Sequence, residues 1–435
     1  MTRASDEQKA ANPPTDAFGI FRFVERWVIC YLFIYILPFP LGVIPCTGPL
    51  STAFESSKQS VVVWLADSLF SVALTTMPNG SGDTTYNYFE VACMLGFAAI
   101  AALVSCVALY KLPSALQQQA WLRIAIRYYL ATAMLGYGWH KLFPIQFSPL
   151  GPEDMISTYG DSSPMGLLWR FMGASTAYQM FAGAAEIAGG LLLLSRRTTL
   201  LGAVISGGVL VNVVLLNLCF DVPVKLYSSH LLLIALWIMS PDYHRLFSFF
   251  VLNRVVEPNI QSRSRPTSVL TKFTVVSMKA GVCFSIAILP AIQNWQYMFS
   301  DGNWKTLSAR HGVYWVDSFE RNGVWGKEND DDDRWVRVGI SDGGSISIQF
   351  ASGRCKRYRF EIDENQTQLK LSQRGVNVEQ ILEFKQIAMT IDGYAIELSG
   401  VLDDLPHRIR IVKTQELSFF DSREFHWINE FPLNR

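Results

Sequence analysis

Between Trp121 and Arg254 the chain sets Arg127, His140, Lys141, Glu186, Asn212, Asn217, Asp221, Lys225 and His230 into apolar surroundings. Ionisable and amide groups are costly at bilayer depth and collect on bundle interiors or in water-filled cavities, so chemistry in the apolar part of the chain is expected here. Glu186, His140 and His230 are the candidate catalytic groups, because a carboxylate and imidazoles can hold or pass protons. Lys141, Asn212, Asn217, Asp221 and Lys225 are the candidates for an outward-facing polar pocket, in which lysines would hold an anionic or carbonyl headgroup.

The spacing assigns faces. Arg127, Ala131, Met134, Gly138 and Lys141 follow one another at intervals of 4, 3, 4 and 3 and share one side of a helix. Ala182, Glu186, Gly189 and Gly190 make a small-residue face on the next apolar segment, where backbones can approach closely. Judged by depth, Arg127 and Glu186 form a buried ion pair, either a register-fixing contact or a working one. Lys279 is a rival partner for Glu186. The outer groups have structural readings too: Asp221 before Pro223 as a helix cap, Lys141 and Lys225 as snorkelling side chains. Haem ligation by His140 and His230 is a further reading that two histidines near helix ends leave open.

These residues need a membrane scaffold to position them. The 435-residue chain is 50% hydrophobic and only 17% charged, against about a quarter charged in soluble domains. Its apolar runs lie before about Pro290 and are long enough to cross a bilayer as helices. The predicted spans are Trp27–Val43, Asn87–Tyr110, Trp121–Leu142, Tyr178–Leu194, Thr199–Leu218, Pro223–Met239 and Thr271–Pro290, with Ser60–Met77 interfacial or re-entrant. That choice collects Arg22, Arg26, Arg123, Arg196, Arg197, Arg245 and Arg254 on one side of a cell (inner) membrane, which puts the N-terminus in the cytoplasm and the C-terminal domain outside it. The late first apolar run, broken by Pro38 and Pro40, is not the pattern of a cleavable signal peptide. Pro144–Thr176, rich in turn residues, reads as a lid or interfacial helix.

Beyond Pro290 the period changes to two. Ser345–Phe350, Lys356–Ile362 and Arg408–Ile411 alternate apolar and polar residues, as strands with one buried face do. With Tyr314–Phe319, Trp335–Ile340, Gln368–Leu371, Ile381–Phe384 and Tyr394–Leu398 they predict an antiparallel barrel or sandwich. The predicted organisation is therefore a disordered stretch over 1–20, membrane helices over 21–120, a four-helix core over 121–255, a basic linker and last span over 256–298, and an extracytoplasmic all-β domain over 299–435.

Composition excludes several classes. Lys plus Arg (37) balances Asp plus Glu (37), which argues against nucleic acid as a partner. The seven cysteines show no Cys-x-x-Cys and no Cys/His ligand spacing, so no metal site is predicted and free buried thiols are the plain reading, with Cys46 and Cys219 the one pair that could meet. The acidic run Glu328–Asp333 is read as a solvated loop rather than a calcium site.

Arg127-Tyr128-Tyr129-Leu130, Tyr137-Gly138-Trp139-His140-Lys141-Leu142-Phe143-Pro144, Gly183-Ala184-Ala185-Glu186-Ile187-Ala188-Gly189-Gly190-Leu191, Arg196-Arg197-Thr198-Thr199 and Asn217-Leu218-Cys219-Phe220-Asp221-Val222-Pro223-Val224-Lys225 resemble the DoxX family of membrane proteins. The resemblance covers about Trp121–Arg254 and implies a four-helix unit with a weak redox association, since the family takes its name from a subunit of a thiosulfate:quinone oxidoreductase. It maps no catalytic residue onto this chain. The expectation is a redox- or quinone-linked membrane protein that takes electrons from a partner protein, because the sequence holds no nucleotide, flavin or Fe–S fingerprint. The alternative is a non-enzymatic scaffold or small-solute carrier whose outward β domain binds a ligand or partner. Helices followed by a β domain are also similar in layout, and in layout alone, to vitamin K-dependent carboxylases.

Overall fold

The computed structural model describes residues 15–44, 46–74, 80–107, 115–257, 269–301, 310–325, 332–342, 344–362, 368–372, 379–390, 393–402 and 405–414. The polar N-terminal stretch before Thr15, most of the acidic run and the tail around Phe425–Glu430 lie outside them. The chain forms two compact units, one from Met1–Gln146 with Ala177–Ser300 and the other from Phe147–Thr176 with Asp301–Arg435.

The first unit is helical. Helix α1 (Thr15–Ile36) stops where Pro38 and Pro40 withdraw backbone donors. Helix α2 (Gly48–Phe70) begins well before the predicted Ser60, with Pro49 in its first turn. It is followed by α3 (Thr85–Val107) and α4 (Ala115–Leu142). After α5 (Pro152–Ile156) and α6 (Pro164–Gly173), which belong to the other unit, the chain returns as α7 (Thr176–Leu194), α8 (Thr199–Cys219), α9 (Lys225–Met239) and α10 (Tyr243–Phe250). The last apolar segment does not end at Pro290. Helix α11 (Val269–Cys283) passes through a π-helical turn, Phe284–Ile288, into α12 (Leu289–Gln296), so Pro290 sits directly after a π turn, a local adjustment by which a helix accommodates a residue with no N–H to donate. Helices over Thr85–Cys106, Thr176–Leu194, Thr199–Cys219 and Val276–Phe299 are long and apolar enough to cross a membrane. The core of the unit joins Ile29 and Leu32 of α1 to Ile126 and Leu130 of α4, Leu210 of α8 and Ile234 of α9.

The second unit is an antiparallel meander: β1 (Gly312–Arg321), β2 (Val324–Trp325), β3 (Trp335–Ser341), β4 (Ser345–Phe350), β5 (Cys355–Ile362), β6 (Gln368–Ser372), β7 (Glu379–Thr390), β8 (Gly393–Leu402) and β9 (Leu405–Lys413). Between the alternatives of sandwich and barrel the register decides. From Tyr314↔Lys413 to Arg321↔His407, β1 also pairs with β9, which joins the first long strand to the last. A bulge between Val316 and Ser318 turns Phe319 inward beside Tyr314 and Val316. Asn322 and Gly323, both at positive φ, make the two-residue turn into β2. Alternate residues, among them Val338, Ile346, Ile348, Ile396, Ile409 and Ile411, fill the interior.

Phe147–Thr176 is neither lid nor free interfacial helix but part of this β unit. Helix α5 lies on the outer wall, where Glu153 accepts a hydrogen bond from Ser345 (3.0 Å) and the Cys355 thiol donates to the Ile156 carbonyl (3.3 Å). Gly339 makes room for it, because a Cβ there would sit 2.6 Å from the Pro152 carbonyl oxygen. Burial pushes the Cys355 thiol up from its ordinary pKa. Gly339→Val is therefore expected to cost about 1–3 kcal/mol by overpacking, read by pulse proteolysis. With the other cysteines replaced by serine, it should also speed Cys355 alkylation at neutral pH, since releasing α5 removes the burial that keeps the thiol protonated. Unchanged stability together with an unchanged alkylation rate would show that α5 is not seated by this glycine.

Candidate functional site

Helix α4 carries two faces with different work. The first packs on α7 at van der Waals limits. A Cβ on Gly183 would lie 2.7 Å from the Gly138 carbonyl oxygen, and one on Gly190 would lie 2.7 Å from Leu135 Cγ and 3.3 Å from the Ala131 carbonyl oxygen. Small residues permit this approach, as they do between membrane helices generally. The next pair of helices is equally close, with Gly189 of α7 against Ser206 and Gly202 of α8 against the Leu193 amide.

This register corrects the predicted ion pair. With Gly138 opposite Gly183 and Ala131–Leu135 opposite Gly190, antiparallel packing brings Arg127 level with the end of α7, about 12 Å along the axis from Glu186 at about 1.5 Å per residue. Glu186 instead binds Lys141, Nζ to Oε1 2.6 Å, with side-chain exposures of 9% and 5% for lysine and glutamate. Side chains on a helix lean toward its N-terminus, so the Lys141 stem runs back along α4 to reach the carboxylate. Arg127 is also buried, donating to Thr199 Oγ1 (3.2 Å) with its guanidinium 4.8 Å from the Tyr128 ring centre. Lys279, the rival partner, is exposed.

The second face of α4, made by Tyr129, Thr132, Ala133, Gly136, Tyr137 and His140, forms one wall of a cavity of about 830 Å³. Tyr35 and Phe39 close it from the end of α1, Met94 and Val91 from α3, and Tyr227 from α9. The lining is aromatic: Tyr129 meets Phe39 edge-on at 5.7 Å and Tyr35 at 6.3 Å, and Tyr137 lies 6.2 Å from Tyr227.

His140 opens into this cavity. Its Nδ1–H donates to the Gly136 carbonyl (2.7 Å), which leaves Nε2 as the free ring nitrogen. His230 does not. Its Nδ1–H donates to the Leu226 carbonyl (2.6 Å), its Nε2 lies 2.5 Å from the Tyr31 hydroxyl, and its ring stacks on Tyr35 at 4.2 Å. With both nitrogens engaged it holds Tyr35 in place, so joint haem ligation with His140 does not fit its geometry.

One corner of the cavity is ionic, and it comes from residues outside the predicted set. Lys58 of α2 lies 2.6 Å from Glu55 and 2.7 Å from Glu90 of α3. The signals were the i, i+3 spacing of Glu55 and Lys58 and a proline suited to a helix start at Pro49. They were masked by the polarity of the stretch before Ser60.

The predicted outer pocket does not assemble. Lys141 is turned in to Glu186, Asn212 is exposed, and Asn217 is buried with its Nδ2 donating to Ser228 Oγ (3.0 Å). Lys225 and Asp221 pair at 2.8 Å, the aspartate side chain being 81% exposed. Asp221 is not the helix cap either. Asp83, from the segment before α3, accepts from the Lys225 and Leu226 amides at 2.7 and 2.9 Å, supplying the oxygens that Val224 at the cap position lacks. All seven cysteines are free, Cys46 and Cys219 included. Among the described residues no group of three His, Cys, Asp or Glu side chains could hold a metal ion.

Comparison with known proteins finds similarity to YwoB of Bacillus subtilis (strain 168), an uncharacterised protein, at 35% identity over 124 residues, 28% of this chain and 79% of YwoB. No family model matches the chain. No solved structure matches it.

The Lys141–Glu186 pair yields a test of the register. Lys141→Met strands a buried carboxylate and should cost about 3–5 kcal/mol of unfolding free energy in mixed micelles, most of it regained when Glu186→Gln is added. If the double variant is no more stable than the single one, the two side chains are not coupled.

Proposed function

We propose that the helical unit of this chain, which belongs to the family of YwoB, whose name assigns no activity, is a DoxX-like membrane core that binds a lipid-soluble ring of the quinone class and exchanges protons and electrons with it through a partner protein. The observation that carries this reading is the cavity on the second face of α4. About 830 Å³ lined by Tyr35, Phe39, Tyr129, Tyr137 and Tyr227 lies within the usual size range for organic ligands and has their mostly apolar lining with a few polar groups. A quinone, when bound, would supply the two-electron chemistry. The chain's own contribution follows from its side chains: the tyrosine rings stack on and orient a flat ring, and the free Nε2 of His140 accepts or returns a proton at a ring oxygen. Lys58, held between Glu55 and Glu90, gives the cavity a fixed polar corner.

The same corner favours the second reading, a small-solute carrier, in which the ion pairs and not the rings would contact the cargo. The reading includes about seven spans in a cell (inner) membrane, the N-terminus and basic turns in the cytoplasm and the β unit outside it. A reporter fused after Arg435 that works only in the cytoplasm would overturn that orientation.

Gly136 provides the test of the quinone reading, because a Cβ there meets nothing within 4 Å and the side chain added would enter the cavity. Gly136→Phe is expected to leave folding intact and weaken binding of a short-tailed benzoquinone to the protein in lipid nanodiscs by about tenfold or more, 1.4 kcal/mol. Equal binding by the variant and the parent would place the quinone elsewhere, and loss only on Lys58→Met would favour the carrier.

A further inference from the structure

The polar groups around the cavity of the helical unit lean to one side of the hydrogen-bonding ledger. Because the Nδ1–H of His140 is given to the Gly136 carbonyl (2.7 Å), the other nitrogen of the neutral ring presents a lone pair and no hydrogen. Gln146, the next lining residue along the chain, is tied back to the end of α4 by its backbone amide, which donates to the His140 carbonyl (3.0 Å). Its side-chain oxygen Oε1 is buried and meets no donor among the described residues. At the ionic corner Glu55 and Glu90 share the single ammonium of Lys58, at 2.6 and 2.7 Å. Two carboxylates there stand against one cation. The tyrosine hydroxyls can give or take a hydrogen and do not tip the balance.

We propose that this cavity selects a ring that donates hydrogen bonds, the reduced diol of the hydroquinone type, over the oxidised dione, an inference that rests on the quinone-class reading and names the oxidation state the site prefers. The oxygens of a dione only accept. Set against His140 Nε2 and Gln146 Oε1 they leave acceptor facing acceptor, and a buried polar group without a partner costs about 1–3 kcal/mol. The two O–H groups of the diol give those acceptors the hydrogens they lack. A site arranged to bond an O–H turns away the analogue without it more strongly than a pocket discriminates by shape.

The experiment is equilibrium binding to the full chain in lipid nanodiscs, without oxygen and with empty nanodiscs as the blank. The probes are tetramethylhydroquinone, tetramethylbenzoquinone and the dimethyl ether of the former, whose methylated rings leave no position for a cysteine thiol to add. The diol is expected to bind saturably and at least about tenfold tighter than the dione or the ether, and Gly136→Phe should weaken it as it weakens the dione. Gln146→Met should weaken the diol up to about tenfold, the worth of one hydrogen bond, and leave the dione unchanged. An amide can turn end for end, so Gln146→Glu, which has oxygens alone, is the second variant, and it should keep the preference for the diol. Dione binding as tight as diol binding, with both lost on Gly136→Phe, overturns this inference and leaves the quinone-class reading standing. Saturable binding of neither probe overturns both. An equal loss of diol and dione on Gln146→Met, or a preference for the dione in Gln146→Glu, also contradicts the inference.

Discussion

The contact of Gly138 with Gly183 governs the helical unit. Two backbones meet there with no side chain between them, and that one approach sets the height of α7 against α4. It delivers Glu186 to Lys141 and withholds it from Arg127, and it commits one face of α4 to packing. The other face, from Tyr129 to His140, is left to line the cavity. A bulkier residue at either glycine would shift the register and with it both the ion pair and the cavity wall.

The two polar features of this helix answer different needs. Lys141–Glu186 is almost wholly enclosed, and desolvation offsets much of the attraction in such a pair, so it specifies geometry more than it adds stability. The cavity is the reverse case, partly open space bounded by tyrosine rings that pack on one another, Tyr35 on Tyr129 and Tyr137 on Tyr227. A tyrosine wall of that kind keeps its shape without a ligand, as a preformed site should. His230 belongs to the same support, bracing Tyr35 from behind.

Much of this was legible in the chain. Alternation located the strands, and the intervals on α4 and α7 put Lys141 and Glu186 on their packing faces. Which cation reached the carboxylate was not legible, because the ends of the two segments do not share a height and only the glycine contact aligns them. The cavity face of α4 has the same helical spacing as the packing face, from Tyr129 through Ala133 and Gly136 to His140, but small residues and tyrosines do not announce a cavity until the opposite wall is known. That wall comes from α2 and α3, whose Glu55, Lys58 and Glu90 fall in stretches read as polar connections or plain spans. The cap on α9 is a similar case: Asp83 lies 142 residues from the Lys225 amide it satisfies, and no local pattern links them. Helix α5 was hidden for the same reason, since its seat on β3 depends on a glycine in a distant strand.

The most direct measurement of the central claim is photo-crosslinking of the protein in native membranes with an azido-benzoquinone, mapped by mass spectrometry with and without excess unlabelled benzoquinone. The account predicts saturable labelling of the peptides that hold Tyr35–Phe39 and Tyr129–His140. Labelling confined to exposed apolar positions such as Leu201 and Leu215, undiminished by the competitor, would contradict it.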